Sequence, residues 1–432
     1  MDFQSTALPP ELPTQCFNAV KFNTNKQLCK KICAGSCHKE TMKARPRSGR
    51  YNPPNELVAG TAQNFIVGLE GQKFSQGGLA MKILAMDLGK NKTVVCIYDQ
   101  TSGKHKYQTV MTCPQQLHDL LVEHKPERVV FEICSAAGWV FDIVRCLGIE
   151  IQVANTNGQA WRWKNIRRKN DREDALKLAQ LSAMNQLRTV HIPNRQVRQK
   201  RALIQYRQSL VARCVQAKNS IHSILDKEGL TMASGKSGWT KGSIEELKAM
   251  TLPMENCDGD NLWRGSLWVE LEMLAKVTEL IKEVESKLEE MAEDDRQVRI
   301  LRTIPGVGPR LAEAVVAYMD EPGRFTSSKQ VGCYAGLTPR QYQSGNSNRV
   351  GRISGQGNKV LRALLVEVSW LGLRHNEWMR RTYQRVLRGS NSRKKIAITA
   401  VARKLLIRCW AMLRDGTTWR RQDKVNVSNV AA

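Results

Sequence analysis

The chain has 432 residues, 41% of them hydrophobic, which is enough for several globular domains with real cores and excludes a disordered protein. Lysine and arginine number 67 against 40 aspartate and glutamate residues, so the formal net charge is +27. This imbalance favours a polyanionic partner. No stretch approaches the roughly 18 uninterrupted apolar residues of a membrane-spanning helix, so we expect nucleic acid and no membrane.

Residues 1–80 are rich in Pro, Asn, Gln, Gly and Lys and show no helical or strand periodicity, which predicts a poorly structured N-terminal extension. Cys29, Cys33, Cys37 and His38 lack the two-residue cysteine spacing of most structural zinc sites. The 12 cysteines follow no regular framework, and no N-terminal signal pattern is present. We therefore expect reduced thiols and a cytoplasmic protein.

A domain is predicted to begin at Met81, where the sequence KILAMDLGKNKTVVCIYD indicates a strand, a tight glycine turn and a second strand. Asp87 falls within the first of these strands. A short apolar run, 129–131, predicts a buried strand that ends at Glu132, and a helical pattern follows over 136–147.

The next segments are a strand, IEIQVAN, and after a basic stretch a helix, DREDALKLAQLSAM. Asp171 and Asp174 are three residues apart, so both project from one face of the first turn of this helix. Four carboxylates are thus carried by a strand, a strand end and a helix turn.

Convergent carboxylates in a basic protein are suited to Mg²⁺, a hard cation that prefers oxygen ligands. Two such ions can activate an attacking oxygen and stabilise a leaving oxygen in phosphodiester displacement. Each acid also has a structural alternative: Asp171 as the N-cap of the helix with an acid at N3, Glu132 as a surface residue at a strand end, and Asp87 as a turn-former. The order and placement of the four together favour the metal site.

The strand aspartate with its hairpin, the strand-end glutamate and the block KNDREDA at 169–175 resemble the DEDD motif of a RuvC-like nuclease domain with the RNase H fold. The block is similar to the K-x-D-x-x-D-A block of the insertion-sequence one-ten family of transposases, which includes the Piv DNA invertase. The resemblance implies an α/β RNase H-like domain over residues 81–195, with Asp87, Glu132, Asp171 and Asp174 as catalytic metal ligands. It also implies a C-terminal transposase domain that carries a serine.

Two long helical patterns over residues 196–296 predict a helical coiled-coil middle region. A segment with Gly, Pro and Asp breaks between them turns the chain around. The two patterns form either a spacer and dimer surface or an internal hairpin. Apolar residues repeat at three- and four-residue steps at Leu203, Tyr206, Leu210, Cys214, Ala217, Ile221 and Ile224, and at Leu274, Val277, Ile281, Val284, Leu288 and Met291.

The C-terminal region, 297–432, is predicted to be mainly α-helical. Near its start, the glycine turn at 304–308 followed by a helix resembles a helix-hairpin-helix element, in which backbone N–H groups meet a phosphate. A structural turn between helices is the alternative interpretation.

A later stretch matches the C-terminal signature of the same family. The matching residues are 336–339 (GLTP), Ser344-Gly345, 351–354 (GRIS), Gly357 and Leu361-Arg362. By that resemblance Ser344 is the candidate nucleophile. Its neighbours Arg340, Arg349 and Arg352 would neutralise the phosphate. Ser347 and Ser354 are the alternative serines, and a plain Gly/Ser/Asn loop is the structural alternative.

Two basic clusters are predicted to contact nucleic acid, with a solvated basic face as the alternative for each. One is the late segment 374–395. The other interleaves aromatic and cationic side chains: Trp161, Arg162, Trp163, Lys164, Arg167, Arg168 and Lys169.

The resemblance implies a DNA transposase or recombinase that excises and inserts its element with Mg²⁺-bound acids and a serine. Its implied partners are donor and target DNA, a non-coding bridge RNA, and further copies of the chain in a dimer or tetramer. Two other functions remain open from the residues alone: a RuvC-like, structure-specific nuclease that leaves Ser344 idle, and a non-catalytic nucleic-acid-binding protein in which the acids are caps and turns.

Overall fold

The computed structural model describes residues 81–155, 170–233, 235–345 and 347–420. These residues fall into two compact units that divide between Ile192 and Pro193. The predicted N-terminal extension, residues 1–80, lies outside the described residues. Among the described helices, none combines the length and the apolar composition that crossing a membrane requires.

The first unit is built on a five-stranded mixed sheet with the strand order β3-β2-β1-β4-β5. β1, β2 and β3 are antiparallel neighbours, whereas β4 lies parallel to β1, and β5 lies parallel to β4. Each parallel pair is reached through a helix, as parallel strands require. The strands are β1 (Lys82–Leu88), β2 (Lys92–Asp99), β3 (His105–Met111), β4 (Arg128–Glu132) and β5 (Glu150–Ala154).

Helices α1 (Pro114–His124), α2 (Ala137–Cys146) and α3 (Asp171–Ala183) cover the two faces of this sheet. Successive side chains of a strand point to opposite faces. Leu84, Met86, Val129 and Phe131 therefore share one core with α1 and α2. Ile83, Ala85 and Val130 share the other core with Ala175, Leu178 and Ala179 of α3. The face under α3 thus carries the odd-numbered residues of β1 and the even-numbered residues of β4.

The second unit is mainly helical, with one two-stranded antiparallel sheet formed by β6 and β7. Short 3₁₀ turns occur at Ser237–Trp239, Met254–Asn256, Pro322–Arg324 and Asn391–Arg393. The longer elements are α4 (Arg195–Lys227), α5 (Lys241–Ala249), α6 (Leu262–Glu293), α7 (Arg296–Arg302), α8 (Pro309–Met319), α9 (Ser328–Tyr334), β6 (Pro339–Ser344), β7 (Ser347–Ile353), α10 (Lys359–His375), α11 (Glu377–Leu387) and α12 (Lys394–Asp415).

The two predicted long helices, α4 and α6, pack against each other within the chain as an antiparallel hairpin. Arg207 near the start of α4 pairs with Glu285 near the end of α6, at 2.5 Å. Ile221 and other residues late in α4 share a core with residues early in α6, including Leu271. Most of the predicted apolar stripe is buried or half-buried, as a helix–helix seam requires. The internal-hairpin alternative therefore describes the packing of these helices, and a dimer surface stays a prediction.

The ends of the long helices also belong to the core of the C-terminal region. Ile204 of α4 and Leu288 of α6 lie in one apolar cluster with α8 and with the buried side of α12. Every residue of α8 from Leu311 to Met319 is buried. The middle and C-terminal regions, predicted as separate domains at 196–296 and 297–432, therefore lie in one compact unit.

The predicted glycine turn lies between α7 and α8, as expected. Gly306 has φ +89°, and a Cβ there would be 3.1 Å from the Cα of Gly372 in α10. The side chain of Asn376 donates a hydrogen bond to the Pro305 carbonyl at 3.1 Å. The turn is thus held against the end of α10, and a phosphate-binding role for it stays a prediction.

Candidate functional site

The first pair of predicted acids comes from neighbouring parallel strands. Met86 of β1 is in register with Phe131 of β4, so the next residues along the two strands are Asp87 and Glu132. By strand alternation both side chains point to the face that α3 covers. Adjacent strands lie about 4.8 Å apart. The two half-buried carboxylates are therefore side by side at the carboxyl ends of β1 and β4.

The direction of α3 is fixed by contacts at its last turn. Arg128, which begins β4, donates to the Ser182 carbonyl at 3.3 Å. Gln100, just after β2, donates to the Ala183 carbonyl at 3.3 Å. The Gln100 N–H also donates to the carbonyl of Met81, the residue before β1. The end of α3 therefore lies over the starts of β1 and β4. The first turn of α3 consequently lies over the carboxyl ends of those strands, where Asp87 and Glu132 are.

That first turn carries the second pair of predicted acids. The N-cap is Asn170, whose side chain accepts a hydrogen bond from the Arg172 N–H at 3.1 Å. Asp171 is the first helical residue and is exposed, whereas Asp174 is half-buried. The alternative that made Asp171 the N-cap is therefore wrong: the extended backbone at Asn170, with φ −136° and ψ 122°, puts the cap one residue earlier.

A tight turn after β1 positions Asp87. Asp87 lies in the β-ladder opposite Val94, so it is a strand residue and not a turn-former. The turn begins at Gly89, where a Cβ would lie 2.4 Å from the Lys92 carbonyl oxygen. Thr112 closes the turn by donating from its hydroxyl to the Gly89 carbonyl at 2.9 Å. Only glycine fits this close approach, which keeps the end of β1 in place.

Sequence reasoning missed one residue of this site, Lys177. It lies on α3 one turn after Asp174 and is half-buried. Burial lowers the pKa of Lys177, and the Asp174 and Glu132 carboxylates act in the opposite direction. Lys177 thus lies within electrostatic reach of both acids. Its spacing of three from Asp174 was the available signal, because that spacing puts it on the same helix face.

Together, Asp87, Glu132 and Asp174 lie at the same end of the sheet face that α3 covers, with Asp171 at the exposed edge. The donor set is entirely carboxylate oxygen, which suits a hard divalent cation such as Mg²⁺ and does not suit soft metals. The residue types present therefore fit the predicted ion, and the metal site itself stays a prediction.

The predicted serine lies in the second unit, at the end of an exposed β-hairpin. Ser344 is the last residue of β6 and pairs with Ser347, the first residue of β7. Gly345 follows with φ +53°, in the left-handed region that a tight hairpin turn requires. The Ser344 side chain is exposed. The Ser344 hydroxyl thus lies near the tip of the hairpin, where an extended polyanion can reach it. Ser347, the alternative serine, is its partner in the ladder.

The three predicted arginines differ in their relation to this serine. Arg349 pairs with Tyr342, two positions along the ladder from the pair of Ser344 and Ser347, so it lies on the same face of the hairpin. Arg352 is three residues further along β7, beyond the irregularity in the ladder between Pro339 and Gln341, so alternation does not assign it a face. Arg340 donates to the Ser354 carbonyl at 3.2 Å. Of the two arginines on β7, Arg349 is therefore nearer to Ser344 along the ladder and lies on its face.

The predicted basic clusters are described only in part. The tryptophan- and arginine-rich cluster at 161–169 lies outside the described residues. The late cluster, 374–395, runs from the end of α10 through α11 into the start of α12. Arg385 of this cluster and Arg403 of α12 act electrostatically on Lys404, which lies further along α12. Burial lowers the pKa of Lys404, and these two arginines lower it further. Such mutual repulsion is relieved when a polyanion binds, which is consistent with nucleic-acid contact.

Two protein-family models match the chain. One, described as a transposase and named for a DEDD domain of IS110 elements, matches residues 84–228. The other, described as the IS116/IS110/IS902 family of transposases, matches residues 298–384. Together they cover more than half of the chain, and they contain the four acids and Ser344. The first model agrees with the RuvC-like interpretation of the five-stranded sheet.

The chain is similar to curated transposases over most of their length and to a gene-inverting protein over less than half of its length. The transposase for insertion sequence element IS1111A from Coxiella burnetii is 29% identical over 79% of this chain and 92% of its own. The transposase for insertion sequence element IS1328 from Yersinia enterocolitica is 26% identical over 78% of this chain and 98% of its own. The pilin gene-inverting protein of Moraxella bovis is 29% identical over 32% of this chain and 44% of its own.

Proposed function

This chain belongs to the IS116/IS110/IS902 family of transposases, and we propose that it excises and inserts an insertion sequence by Mg²⁺-dependent strand exchange, with Ser344 as the nucleophile. A DNA-processing transposase follows from the family; the metal, the serine and the other partners are the proposal. The observation that supports it is the placement of Asp87, Glu132 and Asp174 at the same end of one sheet face.

The carboxylates have a definite task in this proposal. Asp87, Glu132 and Asp174, with Asp171 at the edge, would hold Mg²⁺, which supplies charge neutralisation at the phosphate and stabilises the departing oxygen. Asp87 and Glu132 are fixed by the strands, so the site is preorganised on rigid elements. Asp174 is fixed by the capped first turn of α3.

The serine supplies a covalent step. The Ser344 hydroxyl attacks the phosphorus, the bond from phosphorus to the leaving strand oxygen breaks, and the hydroxyl proton is released to the leaving strand by way of base and solvent. A phosphoserine ester and a free strand hydroxyl result. The ester conserves the phosphodiester bond energy, so a new strand end can reverse the step and rejoin the DNA. Arg349 would neutralise the phosphate charge from its position on the same hairpin face.

The partners proposed for the chain are donor and target DNA, a bridge RNA and further copies of the same chain, in the cytoplasm. DNA as substrate is supported by the family and by the names of its relatives, which include transposases and a gene-inverting protein. The net charge of +27 supports binding to nucleic acid in general. RNA guidance and a dimer or tetramer are carried by the family resemblance.

A matched pair of variants on α3 tests the proposed metal site. Asp174→Asn removes a carboxylate from the sheet-facing side of the first turn, whereas Glu173→Gln removes one from the neighbouring exposed position. We expect Asp174→Asn to reduce Mg²⁺-dependent cleavage of element-end DNA at least about a hundredfold and Glu173→Gln to leave it nearly unchanged. Equal losses in the two variants, or none in either, would count against the acid cluster as the catalytic site.

A further inference from the structure

One buried carboxylate of the second unit, that of Glu313, takes no part in the proposed chemistry. Glu313 is on α8, 1% exposed, in a helix whose other residues form the centre of the core. Neither of its carboxylate oxygens accepts a hydrogen bond from any part of the chain that the structure describes. Burying an acid without such bonds costs several kcal/mol unless something compensates.

Glu313 lines a half-open pocket of about 250 Å³ between α6, α7 and α8. The volume exceeds the roughly 30 Å³ share of one water several times, so the pocket has room for a small organic ion. Two further glutamates, Glu289 and Glu293, lie at its exposed rim. Its walls between the buried and the rim acids are apolar and consist of Ala292, Val298 and Pro309.

The described charged side chains around the pocket leave Glu313 without a counterion of its own. On the α4 side, Lys200 pairs with Asp295 at 3.1 Å and Arg207 pairs with Glu285 at 2.5 Å, so these four residues cancel. The remaining carboxylates are those of Glu289, Glu293 and Glu313.

Three guanidinium groups lie near these three carboxylates, and one of them, that of Arg299, donates to the Glu293 carbonyl at 3.1 Å. Arg310 is 2.5 Å from Glu289 and 3.3 Å from Oε2 of Glu313, and Arg302 lines the rim. Because Glu313 shares Arg310 with Glu289 and accepts no hydrogen bond from the described residues, its carboxylate can accommodate a monovalent cation. A doubly charged metal would overcompensate it and would also find few oxygen ligands free for its usual coordination.

We propose that this pocket binds a free primary alkylammonium ion, with the ammonium group at the Glu313 carboxylate and the methylene chain along the apolar wall. The ammonium offers three N–H donors to carboxylate oxygens that lack hydrogen bonds. A short alkyl chain against the wall is favourable for the same reason that lysine stems cover apolar surface. Monoamines and the ends of polyamines share this chemistry. In a chain of net charge +27, amines bind elsewhere only weakly.

The titration of Glu313 is consistent with a compensating cation. Burial raises its pKa to about 7, against the opposing effects of Arg310 and Lys200 and with smaller contributions from Glu289 and Glu285. A bound ammonium ion would favour the ionised form and return this pKa towards its usual range.

The test is calorimetric titration of the full-length protein at pH 8 with n-butylammonium chloride. Tetramethylammonium chloride has the same charge but no N–H donor, and sodium chloride controls for ionic strength. The informative variant is Glu313→Gln, which keeps the shape and removes the charge. Its control is Glu272→Gln, an exposed glutamate on α6 that does not line the pocket.

We expect saturable butylammonium binding in the wild type and in Glu272→Gln, weakened at least about tenfold in Glu313→Gln. A smaller loss is expected in Glu293→Gln, a rim variant that leaves the core untouched. Tetramethylammonium is not expected to saturate.

No butylammonium binding to the wild type would overturn the proposal, as would equal affinity in wild type, Glu313→Gln and Glu293→Gln. Mg²⁺ binding that depends on Glu313, without butylammonium binding, would make this a metal site and would also overturn it. None of these outcomes depends on whether the protein cleaves DNA, so failure here is distinct from failure of the proposed function.

Discussion

Asp87→Asn is expected to make the first unit more stable without Mg²⁺ and less stable with it. In the metal-free protein, Asp87 and Glu132 lie on adjacent strands about 4.8 Å apart. At an effective dielectric constant of about 20, two like charges at that separation repel by about 3 kcal/mol. Lys177 offsets part of this repulsion. Removing the Asp87 charge should therefore stabilise the metal-free fold by about 1–3 kcal/mol.

With Mg²⁺ bound, the wild type is expected to be more stable than Asp87→Asn, the reverse of the metal-free order. An ion that binds only the folded site stabilises it by about 2.7 kcal/mol at a hundred times its dissociation constant. Asp87→Asn loses a ligand and with it most of this gain. The wild type is then the more stable protein at saturating Mg²⁺.

Hydrogen exchange of the β1 and β4 amides, in EDTA and in Mg²⁺, measures this stability in the first unit alone. Glu123→Gln, an exposed substitution on α1, is the control and should behave as wild type in both conditions. The reasoning is refuted if Asp87→Asn is less protected than wild type in EDTA, or if it gains as much protection from Mg²⁺ as wild type does.

Three further substitutions probe the second unit. The pKa of Glu313 is about 7 in the folded chain and 4.5 in the unfolded chain, so between these values only the folded chain keeps the proton. The free energy of unfolding therefore falls by about 3 kcal/mol as the pH rises from the lower value to the higher one. Urea unfolding at pH 5 and 8 should show this loss in wild type and little of it in Glu313→Gln. Arg349→Ala should slow DNA cleavage in single-turnover assays by about tenfold or more, and Arg352→Ala should slow it less. Gly306→Ala, at φ +89° against the α10 main chain, should cost about 1–3 kcal/mol in urea unfolding, whereas Gly308→Ala at φ −84° should cost much less.

Each of these three has an outcome that contradicts it. A wild-type stability that is the same at pH 5 and 8 would mean that Glu313 titrates normally. Equal effects of the two arginine variants would mean that the position of Arg349 nearer to Ser344 gives it no special role. A Gly306→Ala protein as stable as Gly308→Ala would mean that the turn relaxes away from α10.

The elements that carry the acids were predictable from sequence because their signals are local. β1 and β2 flank a glycine turn, and β4 ends visibly at Glu132. The three-residue spacing of Asp171 and Asp174 predicts their common helix face. In contrast, β3 and α1 were not predicted, because the sequence HKYQTVM of β3 is half-exposed and lacks a clear apolar alternation.

Other features depend on tertiary packing and could not be predicted locally. The N-cap at Asn170 competes with Asp171 one residue away, and only the backbone conformation decides between them. Lys177 belongs to the acid site because α3 runs antiparallel to β1 and β4. The middle and C-terminal regions share a core because the ends of α4 and α6 pack beside α8, and the contact between α4 and α8 joins residues about a hundred positions apart in sequence.

The most direct test of the serine mechanism is a search for a covalent protein–DNA adduct. Purified protein is incubated with labelled element-end DNA, Mg²⁺ and RNA co-purified from cells that carry the whole element, and the products are run on a denaturing gel. The proposed function predicts an adduct in wild type and in Ser347→Ala, and none in Ser344→Ala or in EDTA. Cleavage without any adduct, or an adduct that survives Ser344→Ala, would contradict it.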